Sequence, residues 1–122
     1  MAKYVNDDVL DGALNVIKNN ANIMTVCSAQ PTTRTEAITT YALADVSMAS
    51  GDFTVANGDT NGRKLTVAAK SGVNIDVTGT ATHVALCDAT RLLLVTTCNS
   101  KSLTSGDAVN IPAFDNEIAD AS

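Results

Sequence analysis

From Ile23 onward the chain breaks into short runs rich in β-branched residues, recurring about every ten residues and separated by turn-forming residues. That rhythm leaves few folds open. Short strands at that spacing have the rhythm of an antiparallel sandwich or flattened barrel. The runs are 23–28, 43–48, 63–69, 73–77, 81–87, 92–97 and 108–114. Period-two alternation puts Leu65 and Val67 on one face of their run, and Val73, Ile75 and Val77 on one face of the next. Residues 92–97 are apolar or β-branched almost without a break, the pattern of a central strand buried on both faces. Residues 88–91 are short enough to join that strand to the preceding one as a hairpin. The turns are expected at 70–72, at 78–80 and at 103–107 with Gly106. Pro112 assigns the last run to a sheet edge or a bulge, and Pro31 ends the first run. Residues 49–62, with Gly51, Asn57-Gly58 and Asn61-Gly62, read as one long polar loop.

One segment has helical spacing. Asn6, Asp7 and Asp8 offer cap oxygens and negative charge for a helix start, and Val9, Leu10, Ala13, Leu14 and Ile17 fall on one face. Lys18 suits the C-terminal end, and Asn19 or Asn20 the left-handed cap. Thr33 and Glu36 have capping-box spacing, so 36–42 is expected to form a helical turn or two. The fold class that follows is mainly β (α+β): an antiparallel β-sandwich or flattened barrel of about six to eight strands with one N-terminal amphipathic helix. A single domain, 1–122, is expected to consist of the helix at about 7–19, a β-rich body at 23–114 and a poorly ordered acidic tail at 115–122.

Composition narrows the function. With 122 residues the chain can bury an adequate core without disulfides or a metal. Two Phe, two Tyr and no Trp make that core aliphatic and offer little to stack on a sugar ring. A net charge of −5 with scattered basic residues argues against nucleic-acid binding through phosphates and against adhesion to an anionic membrane. Three cysteines without CxxC spacing suggest neither a zinc knuckle nor a disulfide framework. Cys27 and Cys87 lie in apolar runs as small buried hydrophobes, and Cys98 lies in an expected loop. No stretch has the length of a membrane helix or the apolar core of a leader, so synthesis and folding in a reducing cytoplasm are expected.

Catalytic patterns are weak throughout. His83, the one histidine, is expected on a strand face with Ala81, Ala85 and Cys87, with no nucleophile-elbow motif to serve it. Asp7 and Asp8 are explained by helix capping. Asp115, Glu117 and Asp120 are read as a solvated tail. Residues 58–64 carry glycines and a lysine, but Arg63 stands where a phosphate-binding loop needs lysine, so the segment reads as a hairpin loop running into a basic strand start. No enzyme activity, catalytic residue, metal or cofactor is expected. The sixteen threonines combine strand propensity with a hydrophilic face, as in exposed sheets that abut other proteins.

Several segments carry a resemblance. Ala13-Leu14, Ile17-Lys18-Asn19-Asn20, Val26 through Thr33, Glu36-Ala37 and Thr40-Tyr41 resemble the N-terminal half of a family of short virion structural proteins of tailed bacteriophages. Residues 62–67, 79–86 and 110–114 resemble that family's later motifs in the same order, so the likeness spans about 6–118. It implies a non-enzymatic virion protein, with capsid decoration (cementing) the preferred role and a tail, neck or fibre-base component the alternative. A carbohydrate-binding β-sandwich on the virion surface is a further alternative. A decoration role implies the major capsid protein as partner, a homo-oligomer for which a trimer is one candidate, and a place on the capsid surface after synthesis in the host cytoplasm. The candidate interface residues are Gln30, Pro31, Thr32, Thr33, Arg34, Glu36, Phe53 and Phe114, with the 49–62 loop and the arms 1–6 and 115–122. The 108–114 edge is a candidate for strand pairing in trans.

Overall fold

The computed structural model describes residues 5–118. Of the expected arms 1–6 and 115–122, residues 1–4 and 119–122 lie outside them. Helix α1 (Asp7–Asn20) starts where the Asn6 side chain accepts the Asp8 N–H at 2.8 Å, with Asp7 and Asp8 in the first turn. Its buried stripe is narrower than the spacing suggests. Leu10, Leu14 and Ile17 are buried, whereas Val9 is 65% exposed and Ala13 also faces outward. No left-handed residue closes the helix: Ala21 is extended (φ −61, ψ 124), because the chain runs almost directly into a strand. Lys18 instead reaches across to donate to the Phe53 carbonyl at 2.9 Å.

Nine strands follow among the described residues, all in antiparallel pairs. A four-stranded sheet has the order β2-β1-β6-β7, from β1 (Ile23–Cys27), β2 (Ala42–Ser47), β6 (Gly79–Cys87) and β7 (Leu92–Leu103). A three-stranded sheet, β3-β4-β9, comprises β3 (Phe53–Asn57), β4 (Arg63–Val67) and β9 (Phe114–Ile118). β5 (Lys70–Asn74) pairs with β8 (Ala108–Ile111). All three sheets and α1 feed one aliphatic core that includes Leu14, Met24, Phe53, Leu65, Leu86 and Ile111, a sandwich-like arrangement. A smaller cluster of Cys27, Ala37, Ala85 and Cys87 occupies the other face of the four-stranded sheet, beneath the helical turn Glu36–Thr40.

Two segments expected to be irregular are strands. β3 lies inside the expected 49–62 loop. The Asp52 carboxylate accepts the Ala49 N–H and turns the chain into it, so the polar residues before Phe53 form a turn rather than a loop. The acidic stretch 115–118 belongs to β9, where Asp115 accepts from Thr66 Oγ1 at 2.8 Å, and Lys64 Nζ lies 3.6 Å from Asp115. Cross-strand partners make these acids compatible with a ladder. Between β8 and β9, Pro112 ends pairing, so the expected single run 108–114 is split between two sheets.

Other expectations shift by smaller amounts. Residues 70–72 are not a turn but part of β5, where Gly72 at φ 67 sits in a register shift. Gly79 and Thr80 begin β6, and Leu103 ends β7, so the turns there are shorter than expected. Residues 92–97 are not central: β7 is the outer strand of its sheet, and its first five residues are half-buried. Their unbroken apolarity has another cause, since Leu93 and Leu94 pack on the main core and Leu92 and Val95 on the smaller cluster. The expected hairpins at 88–91 and 58–62 are present. In the first, the Asp88 carboxylate accepts the backbone N–H groups of Thr90 and Arg91. In the second, Gly58 N–H donates to the Gly62 carbonyl at 2.9 Å and Gly62 takes φ 73.

Replacing Leu65, fully buried, by Ala should cost about 2–5 kcal/mol in a denaturant titration. The exposed Val9→Ala should stay within about 0.5 kcal/mol of the parent. The N–H groups at Thr90 and Arg91, with the Arg91 side chain, hold the Asp88 carboxyl below the usual carboxylate range. Its stabilising contribution is therefore present above that range and is lost as pH falls through the lowered pKa. Asp88→Ala should lower Tm at about pH 7 and shrink the further loss of Tm on going to about pH 3. An unchanged pH dependence in thermal melts would contradict that account.

Candidate interaction groove

The sandwich does not close along one side. β7 pairs with β6 on one edge, and on its other edge no backbone hydrogen bond joins it to another described residue. β8 and β9, each paired on one side only, to β5 and β4, come near the inner face of β6 and β7. Between them lie two adjoining hollows of about 300 and 350 Å³, which share Val84, Cys98, Asn99, Ile111 and Pro112. The first extends over Val26, Ala81 and Val109 toward Lys101, and the second ends at Phe114. Together they form a groove with an aliphatic floor, walled on one side by the twelve-residue β7.

The other edge of the same sheet is protected. Leu43 O on β2 accepts the N–H groups of Asp76 and Val77 at 2.8 and 3.1 Å, and Ala44 forms a bridge with Ile75. Beside it the Asp45 carboxyl is pushed above the usual range, first by burial and then by Asp76. β3, at the edge of the three-stranded sheet, lies under α1, with Lys18 on the Phe53 carbonyl. The contrast matters because exposed strand edges invite pairing, and chains usually blunt them with charge, proline or a cover. β7 has no proline and one charged residue, Lys101, but it carries a bulge of two extra residues at 98–100, where the pairing jumps from His83–Thr97 to Ala81–Lys101.

Of the expected interface residues, Phe114 alone reaches this groove, half-buried at its end. Phe53 is 2% exposed in the main core and Pro31 is fully buried, so neither presents a side chain to a partner; large apolar side chains in a small domain are drawn inward. Gln30, Thr32 and Thr33 are exposed, but they belong to the loop that leads into the helical turn over the opposite face of the four-stranded sheet. Glu36 there accepts from Thr32 N and Oγ1 at 2.8 and 2.7 Å, while Thr33 Oγ1 accepts the Glu36 N–H at 3.1 Å. The two bonds from Thr32 hold the Glu36 carboxyl below its ordinary range. Arg34 donates through Nε to the Asp88 carbonyl at 2.7 Å, tying the loop to the β6–β7 turn. The loop is thus a built clasp, separate from the groove.

The chemistry-bearing residues settle elsewhere. His83 is half-buried and shares a 2.8 Å hydrogen bond between Nδ1 and Thr82 Oγ1. A register shift between Ala81 and His83 breaks the expected alternation: Ala81 joins the main core while Ala85 and Cys87 join the smaller cluster. Cys27 and Cys87 are buried, and burial is the foremost cause that pushes both thiols up. Cys98 lies in β7 rather than a loop, half-buried in the groove, its thiol also pushed up by burial. Among the described residues no group of three or more His, Cys, Asp or Glu is placed to hold a metal ion. No helix there is long and apolar enough to cross a membrane.

Comparison with family models, curated proteins and solved structures finds no match. The groove is therefore read from its own geometry.

Under native conditions Cys98 should be the thiol that reacts with iodoacetamide, slowly near neutrality and faster as pH rises through its elevated pKa. Cys27 and Cys87 should react only on unfolding, which peptide mapping of the alkylated chain would show. Prompt native labelling of all three would contradict the burial described.

Proposed function

We propose that this chain is a non-enzymatic virion structural protein of a tailed bacteriophage, a capsid decoration protein that binds the outer lattice and stabilises the shell. The observation that carries the reading is the open β7 edge with the aliphatic groove beside it, an arrangement suited to holding another protein chain. The motif resemblance at 13–41, 62–67, 79–86 and 110–114 supplies the setting.

Cementing requires modest contacts repeated many times. A specific interface buries about 1,200–2,000 Å², and a lattice multiplies such contacts through effective concentration. Opening the shell must then break the added contacts as well. A homo-oligomer, for which a trimer at three-fold positions is the candidate, would raise that avidity further. An acidic surface with net charge −5 suits binding to protein rather than to packaged nucleic acid.

Quantitative mass spectrometry of purified particles tests the reading. Hundreds of copies that co-fractionate with shells are expected. A dozen or fewer travelling with tails would assign the chain to a neck, tail or fibre-base part, and absence from particles would overturn the virion reading.

A further inference from the structure

We infer that Asn61 is a site of self-modification: the Gly62 backbone nitrogen attacks the Asn61 side-chain amide and leaves a carboxylate in the β3–β4 hairpin, while the fold holds Asn57 unreacted. The inference is independent of what the protein docks to.

The chemistry needs only the chain and water. The Gly62 nitrogen loses its proton and forms a bond to Asn61 Cγ, the Cγ–Nδ2 bond breaks, and the amide nitrogen leaves as ammonia. Water then opens the five-membered imide at either carbonyl, giving aspartate or isoaspartate. A following glycine leaves the attacking nitrogen unhindered, and among the asparagines only Asn57 and Asn61 precede one. Local sequence treats the two alike, and the fold separates them.

Asn57 ends β3, paired with Arg63. Its Oδ1 accepts from Arg63 Nη1 at 2.7 Å, and that guanidinium is anchored on Asp11 through Nε at 2.7 Å. The bond polarises the Asn57 carbonyl, but it also fixes the side chain. The nucleophile there is engaged as well, since the Gly58 N–H donates to the Gly62 carbonyl at 2.9 Å. Glu117 Oε1, which accepts the Asp59 N–H at 3.0 Å, lies so close to Gly58 that a methyl group on this glycine would collide with it and with the Asn61 carbonyl. A carboxylate beside the Gly58 nitrogen opposes loss of its proton. Attack at Asn57 therefore requires the hairpin to open.

Gly62 is placed differently. Its carbonyl is taken by Gly58, but no backbone carbonyl among the described residues accepts its N–H. Asn61 is exposed and lies in the turn, outside the β3–β4 ladder. Attack there leaves the ladder intact. The product adds one negative charge near Asp59 and Glu117, in a chain already at −5. Isoaspartate also inserts a methylene into the main chain before Gly62, whose φ of 73° and bond from the Gly58 N–H close the hairpin, so the turn loosens.

The test incubates the full-length protein in mildly alkaline buffer, folded or in urea, and follows both asparagines by mass-spectrometric peptide sequencing and isoaspartyl methyltransferase labelling. In urea the two should convert at similar rates. In the folded protein Asn61 should convert about tenfold or more faster than Asn57, the scale of the hydrogen bonds that must open at Asn57. Its rate should rise with pH, and Asn61→Ser should remove the signal at 61 and leave Asn57 slow. Equal rates at the two sites in the folded protein overturn the inference, as does conversion of Asn61 confined to urea. Anion exchange separates the aged fraction by its added charge. Hydrogen exchange at the Gly58 N–H should be faster in the isoaspartate form, and an unchanged rate would overturn the loosening of the turn.

Discussion

The pairing of β1 with β6 is the constraint on which the rest of this structure depends. In register from Ile23 opposite Cys87 to Cys27 opposite His83, it places Met24, Val26, Val84 and Leu86 on one face and Thr25, Cys27, Ala85 and Cys87 on the other. A one-residue slip would exchange the two sets. The first set meets α1 and the two smaller sheets to make the main core. The second is small enough to lie under a single helical turn, where Thr25 Oγ1 and the Cys27 sulfur, 3.4 Å apart, satisfy each other and Cys27 Sγ reaches the Ala37 carbonyl at 3.5 Å. Because both faces of this pair are enclosed, the sheet grows outward from it, and its two outer strands meet different fates.

β2 is capped by the 75–77 segment and β7 is not. The asymmetry follows from connectivity. The chain between β5 and β6 must return past β2 and bonds to it in passing, whereas after β7 it turns at Thr104–Asp107 to pair with β5. β8 and β9 then belong to different sheets, separated at Pro112, and neither spans the gap to β7. The groove is thus what remains where three sheets share one core and no backbone pairing joins β8 or β9 to β7.

Ion pairs contribute to position more than to cohesion. Arg63 Nε to Asp11 at 2.7 Å ties α1 to the start of β4, and Lys64 to Asp59 at 2.7 Å stiffens the 58–62 hairpin, whose Asp59 N–H also donates to Glu117 on β9. Such exposed or half-exposed pairs are worth little in stability. Their effect here is to orient elements whose burial supplies the free energy.

Local sequence was enough for the N-terminal helix and its Asn6 cap, the mainly β antiparallel class, the aliphatic core and the buried state of Cys27 and Cys87. These rest on local capping chemistry, period-two alternation and side-chain hydrophobicity, all of which act within a few residues. Long-range packing decided that Phe53 is core and that Asp115 and Glu117 lie in a strand. It also decided that β7 is an edge and that Phe114, Cys98, Ile111 and Lys101 meet at one groove. Each depends on partners distant in sequence. The acids of β9 need Thr66 and Lys64 across the ladder, and β7's apolar run looks central because both its faces are half-covered. An open edge leaves no mark in composition, since it is defined by a neighbour the chain does not supply.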